Sequence, residues 1–152
     1  MILPDATLGV LGGGQLGRMF TIAARTMGYR VIVLDPDPVS PAAAVANEHL
    51  HKDYDDPQAL AYLGEHCAAV TTEFENVPVD SLRALESRCA VRPSAEAVAY
   101  AQDRIREKSF IRDAGLATAP FHAVRDEAEL EAALASLRLP AILKTAALGL
   151  RR

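Results

Sequence analysis

The chain has no tryptophan, two cysteines in 152 residues and 5% aromatic residues. Cys67 and Cys89 are too few for a disulfide framework, and no C-x-x-C spacing suggests zinc, so both are expected as buried thiols. A block rich in lysine or arginine is also missing, and with a formal net charge of -4 this argues against a nucleic-acid footprint. No apolar run is long enough to span a bilayer, and Met1 to Asp5 carry no basic leader region. A cytoplasmic protein with no membrane partner is the expectation. His49, His51, His66 and His122 have neither the spacing nor the acidic company of a metal site, so no metal ligand is assigned. Internal repeats and low-complexity segments are missing as well.

Half of the residues are hydrophobic, enough for a core in one domain or one domain plus part of another. The run Leu8 to Leu11 reads as a buried strand and is followed by Gly12-Gly13-Gly14-Gln15-Leu16-Gly17. Leu16, Met19, Phe20, Ala23 and Met27 then recur at helical spacing up to a stop at Gly28, before a second strand at Val31 to Leu34. A strand, glycine turn, helix and strand in this order predict a right-handed crossover in a parallel sheet.

Alternation continues beyond a proline loop, Pro36 to Pro41. A third strand is expected near His49 to Lys52, a helix from Asp56-Pro57, a fourth strand at Ala68 to Thr72, a helix over Val79 to Ser87, and a short strand at Ala90-Val91. The fold class is therefore α/β, a doubly wound parallel layer over residues 1–94. Ser94 caps an expected long helix to Ala114, with Gly115 as its stop. Residues 95–152 then read as that linking helix and the start of a second domain: a strand at Phe121 to Val124, a capping box at Asp126 to Glu129, a helix lined by Leu130, Leu134 and Leu137, and a strand at Ala141 to Thr145.

Glycines spaced G-x-G-x-x-G bring backbone N–H groups close to an anion at a helix N-terminus. Asp35, at the end of the second strand, stands where a dinucleotide fold places its ribose-binding acid. Gln15 inside the turn and the proline loop directly after Asp35 argue against that reading. Glu73 ends the fourth strand at the carboxyl edge of the sheet, where ligands bind, while Glu75 and Asn76 fit a structural loop role equally well. Arg104 and Lys108 share one polar helix face, and Lys144 closes an apolar strand.

In order, Gly12 to Met19, Pro36-Asp37-Pro38, Glu73-Phe74-Glu75-Asn76-Val77-Pro78, Gln102-Asp103-Arg104 and Leu143-Lys144-Thr145 form a series. It closely resembles the N-terminal part of the 5-(carboxyamino)imidazole ribonucleotide synthases, ATP-grasp ligases of purine biosynthesis. The resemblance runs from Met1 to about Gly149. It implies a Rossmann-like pre-ATP-grasp domain followed by an incomplete ATP-grasp domain. Gln15, Leu16 and Glu73 would bind the ribonucleotide; Arg104 and Lys144 would bind ATP. The reaction implied is carboxylation of 5-aminoimidazole ribonucleotide by bicarbonate through carboxyphosphate, with ATP and Mg2+ required and a homodimer as the common assembly. A nicotinamide-dinucleotide-binding domain and a non-catalytic ribonucleotide-binding remnant are the alternatives.

In the resembled enzymes the lysine strand leads into a loop of the type Gly-Tyr-Asp-Gly-Lys-Gly-Gln, whereas this chain reads Thr145-Ala146-Ala147-Leu148-Gly149-Leu150-Arg151-Arg152. One extra pyrimidine before TAC GAC GGT AAG would spell Leu-Arg-Arg and a stop. The expectation is a frameshifted, truncated chain without the acidic magnesium ligands and without ATPase turnover of its own, whose Ala141 to Thr145 strand is left unpaired and prone to aggregate.

Overall fold

The structure is a computed structural model, described here for residues 1–147. The departure read at Leu148 to Arg152 lies outside the described residues. The chain divides into two compact units, Met1–Ala99 and the part from Tyr100 onward.

The first unit is a five-stranded, all-parallel sheet in the order β3-β2-β1-β4-β5. Its strands are β1 (Thr7–Leu11), β2 (Arg30–Leu34), β3 (Glu48–Leu50), β4 (Ala69–Thr72) and β5 (Ala90–Val91). Side chains alternate between its faces, as the two-residue period of a strand requires. Val10, Val31 and Val33 pack with Ala24 and Ala42 on one face. Leu11, Ile32, Leu34 and Val70 pack on the other with Leu60, Leu63, Leu82 and Leu85. Helix α1 (Gln15–Thr26) covers the first face, and α2 (Pro57–His66) and α3 (Val79–Glu86) cover the second. Each element read from the sequence up to Val91 is present, with ends shifted by one or two residues. Cys67 is buried and its thiol pushed up to about 12, chiefly by burial, while Cys89 is only half-buried.

Helix α1 departs from its expected orientation. Its buried residues are Gly17, Thr21 and Ala24, whereas Leu16, Met19 and Met27 are 61%, 65% and 61% exposed. Small residues win this face because the helix lies almost on the backbone of the turn: a Cβ at Gly17 would collide with the carbonyl oxygen of Gly12. Gly12 itself has φ +108°, a conformation that L side chains rarely adopt.

The chain after Ser94 differs more from expectation. The long helix over Ser94 to Ala114 is two helices, α4 (Ala95–Ala101) and α5 (Arg104–Asp113). Asp103 interrupts it by capping α5, its Oδ1 accepting the N–H groups of Ile105 and Arg106 at 2.8 and 3.1 Å. Asp126 caps α6 (Glu127–Ser136) by accepting Glu129 N–H at 2.8 Å, as the capping box predicts, and the returning Glu129 carboxylate takes the N–H of Arg125. Only Ala133 of α6 is buried, so the leucine face is half-exposed. Phe121 to Val124 and Ala141 to Thr145 are not strands. Apolar runs become strands only with a partner to complete the ladder, and among the described residues the pairing here is one antiparallel bridge, Asp103 with Ala147. Ile142 and Leu143 stay 81% and 72% exposed.

Replacing Gly17 with Ala should destabilise the chain by roughly 1–3 kcal/mol through this collision. Gly14→Ala, where a Cβ meets nothing within 4 Å, should cost less than about 1 kcal/mol. Urea unfolding of the two variants checks the difference, and equal midpoints would contradict the packing described.

Candidate functional site

A parallel sheet exposes its ligand-binding crevice at the carboxyl ends of the strands, where neighbouring strands send their connections to opposite faces. Here that place is between β1 and β4. After β1 the chain turns through Gly12–Gly14 into α1 on one face; after β4 it passes Glu73 and Phe74 on its way to α3 on the other. A cavity of about 360 Å³ opens there, lined by Gly12, Gly14, Gln15, Leu16, Gly17, Asp35, Tyr54, Glu73 and Phe74. Its size lies at the small end of the range for ligand sites.

Helix α1 begins without a side-chain cap or a first-turn acid, and its first internal bond runs from Arg18 N–H to Gly14 O at 2.9 Å. The N–H groups of Gln15, Leu16 and Gly17 therefore lack partners within the helix and stand at the cavity, where the helix dipole favours an acceptor or anion. Gly13 is different. Its N–H donates to Asp35 Oδ2 at 2.5 Å, so one amide of the turn is already engaged by the protein's own carboxylate.

The remaining contacts of Asp35 bear on the dinucleotide reading. Oδ2 also accepts the Tyr54 hydroxyl at 2.8 Å, and Oδ1 accepts Asp37 N–H at 2.8 Å. A carboxylate offers about four lone-pair positions, and this one, 7% exposed, spends three inside the fold. Little of it is left for a ribose diol.

Glu73 is half-buried at the end of β4, its N–H held by Leu11 O at 3.0 Å. Burial raises its carboxyl above the ordinary glutamate value. The cavity lining contains two carboxylates and neither lysine nor arginine. It suits hydroxyl and amino donors beside Glu73, with acceptors confined to the α1 end.

Of the residues singled out from the sequence, Gln15, Leu16 and Glu73 come together around this cavity. Arg104 and Lys144 belong to the second unit, and both are exposed. Arg104 N–H donates to Ala146 O at 2.8 Å, which brings the backbone two residues past Lys144 beside the start of α5. Lys108, on the same helix, bonds Thr118 Oγ1 at 3.2 Å and lies 5.3 Å from the Phe121 ring centre. Tyr54, Phe74 and the internal role of Asp35 were missed by the sequence reading. No local pattern signals Tyr54, whose partners Asp35 and Phe74 are distant in sequence. Among the described residues no group of histidine, cysteine and acidic side chains could hold a metal ion, and no helix is long and apolar enough to cross a membrane.

A folded pKa raised by burial means that Glu73 favours the folded state when protonated and opposes it when ionised. Its contribution is complete below the ordinary glutamate range and is lost as pH rises through the folded value. Glu73→Gln should therefore raise the melting temperature relative to the parent chain at pH 7, with the gain vanishing near pH 4. A pH series of thermal melts reads this, and a gain independent of pH would exclude buried charge as its cause.

The comparisons with known proteins agree with this geometry. An N5-carboxyaminoimidazole ribonucleotide synthase from Brucella melitensis is 46% identical over 146 residues, 96% of this chain and 40% of that protein. A solved N5-carboxyaminoimidazole ribonucleotide synthetase with ADP is 41% identical and superposes with a TM-score of 0.92, covering 98% of this chain and 40% of its own. The Aspergillus clavatus synthase, solved with ADP and 5-aminoimidazole ribonucleotide, is 31% identical with a TM-score of 0.82 over 91% of this chain and 38% of its own. The chain thus spans about 40% of the length of these relatives. Residues 5–102, the whole sheet and its cavity included, match the family described as the ribonucleotide synthetase preATP-grasp domain, and to that family this chain belongs.

Proposed function

We propose that this chain forms the ribonucleotide-binding part of an ATP-dependent ligase that carboxylates 5-aminoimidazole ribonucleotide with bicarbonate in purine biosynthesis. The observation that carries the reading is the cavity between β1 and β4, where Gln15, Leu16 and Glu73 converge. A relative solved with that ribonucleotide matches the surrounding fold. Glu73 accepts hydrogen bonds from the ribose hydroxyls or the amino group. The free N–H groups of Gln15 and Leu16 receive an acceptor of the same ligand, the phosphate included.

In this reading residues 1–94 are the substrate domain, and residues 95–152 lead into the ATP-binding domain. Arg104 and Lys144 neutralise ATP phosphate charge from the second unit, Arg104 through its planar fork and Lys144 as a point charge. A bicarbonate oxygen attacks the terminal phosphorus of ATP, ADP leaves, and carboxyphosphate forms. The amine of the ribonucleotide then attacks the carboxyl carbon, and phosphate leaves. Catalysis of this kind rests on positioning and on neutralisation of charge. Magnesium, which binds through one or two carboxylates together with phosphate oxygens, would supply charge neutralisation at the ATP phosphates. The relatives' longer chains, a homodimeric assembly and a cytoplasmic location complete the proposal.

Nicotinamide dinucleotide is the competing ligand, and the internal engagement of Asp35 disfavours it. Titrating the 15N-labelled 152-residue chain with 5-aminoimidazole ribonucleotide should shift the amides of Gly12 to Gly17 and of Glu73, while the dinucleotide leaves them in place. Saturable shifts with the dinucleotide alone would overturn the assignment. Gln15→Pro, which removes the N–H at the first helical position where proline is tolerated, should weaken the ribonucleotide about three- to tenfold by isothermal titration, as expected for loss of one neutral contact.

A further inference from the structure

Three loops border the cavity, and one side chain ties them together. Tyr54 lies between β3 and α2, two residues before Asp56, which caps α2 with its Oδ1 accepting the N–H groups of Gln58 and Ala59 at 2.9 and 2.8 Å. Its hydroxyl donates to Asp35 Oδ2, the same oxygen that accepts Gly13 N–H. Its ring meets that of Phe74 at 5.1 Å between centroids, tilted by 54°. Phe74 and Glu73 crowd Gly12, where an added Cβ would lie 3.0 Å from the Phe74 ring and 3.3 Å from the Glu73 Cβ. A continuous path of contacts runs from Gly13 through Asp35, Tyr54 and Phe74 to Glu73.

Ser40, 3% exposed, and the Cβ of Asp35 both lie against Gly13 and fill the space that a side chain at position 13 would need. The turn is thus packed tightly on Asp35, whose carboxylate is held in turn by the Tyr54 hydroxyl. Burial, with the bond to Asp35, pushes the Tyr54 hydroxyl far above its ordinary value, so it remains a donor across the neutral range. Hydrogen bonds to a carboxylate are the strong class, and a group that touches both the cavity and this bond acts on geometry within the site.

We propose that Tyr54 is a positioning residue of the ribonucleotide site: it clamps the Asp35 carboxylate beneath the glycine turn and, through Phe74, sets the place of Glu73. The clamp itself is independent of the ligand. Its effect on affinity rests on the proposed function.

Tyr54→Phe keeps the ring on Phe74 and removes only the hydroxyl, and Asp35→Asn keeps the shape and removes the charge. In the 152-residue chain, Tyr54→Phe should speed hydrogen exchange of the Gly13 amide about tenfold and move the Glu73 amide resonance, while exchange of the core amide of Val33 keeps its rate. Asp35→Asn should do the same more strongly, and the double variant should be no worse than Asp35→Asn alone, because both break one path. Affinity for 5-aminoimidazole ribonucleotide should fall about tenfold in Tyr54→Phe. Unchanged Gly13 exchange and Glu73 resonance in Tyr54→Phe, additive effects in the double variant, or an equal rise in exchange at Val33 would overturn the proposal. If the parent chain takes up no ribonucleotide, the functional reading fails, while Gly13 exchange and the Glu73 resonance still decide the clamp.

Discussion

The close approach of α1 to the end of β1 is the constraint on which the rest of the first unit depends. Gly17 lies against the carbonyl of Gly12 with no room for a methyl group, so the helix starts directly over the carboxyl end of the central strand. From there its first N–H groups open onto the crevice instead of onto solvent. The same approach selects Gly17, Thr21 and Ala24 as the packing face, since only small side chains fit between a helix and a sheet held this close. Thr21 adapts by donating its hydroxyl back to Gly17 O at 2.7 Å, which leaves its methyl free to pack. Local geometry at one glycine thus fixes both the burial pattern of a helix and the direction of its dipole.

That constraint also explains what the sequence could and could not disclose. Strands β1 and β2 were legible because each is an unbroken apolar run, as a strand buried on both faces must be. The face of α1 was misread because periodicity weighs Leu16, Met19 and Met27 above a glycine, a threonine and an alanine, whereas contact distance decides the other way. Beyond Tyr100 the apolar runs at Phe121 to Val124 and Ala141 to Thr145 have the composition of strands but no ladder to join. Strand structure is a property of pairs, and a single chain segment carries only half of it. The break where Asp103 caps α5 was missed because it sits inside a pattern helical on both sides.

At the site the division is similar. The glycine turn and Glu73 could be read because their positions, at the end of a strand, already imply their surroundings. Tyr54 could not, because its role comes from two partners 19 and 20 residues away in sequence, Asp35 and Phe74, and no local pattern encodes that meeting. For Asp35 the position was legible but not the partner: the spacing that puts an acid near a bound ribose in a dinucleotide fold here puts it within reach of the turn's own Gly13 N–H.

The choice of ligand follows from how charge is distributed around that turn. A dinucleotide site keeps its acid free for a ribose and offers the turn's amides to a pyrophosphate. Here the buried carboxylate sits beneath the turn, consumes one of its amides, and shares the cavity wall with Glu73, with no cationic side chain to offset either. A pyrophosphate would bring further negative charge against two carboxylates in a place where screening by water is reduced. In the proposed reading, a single ribonucleotide turns its hydroxyl and amino groups toward Glu73 and reserves its one phosphate for the free end of α1. On that proposal, the internal engagement of Asp35 works against the dinucleotide that its glycine spacing most often accompanies, because Asp35 is the residue that would otherwise recognise it.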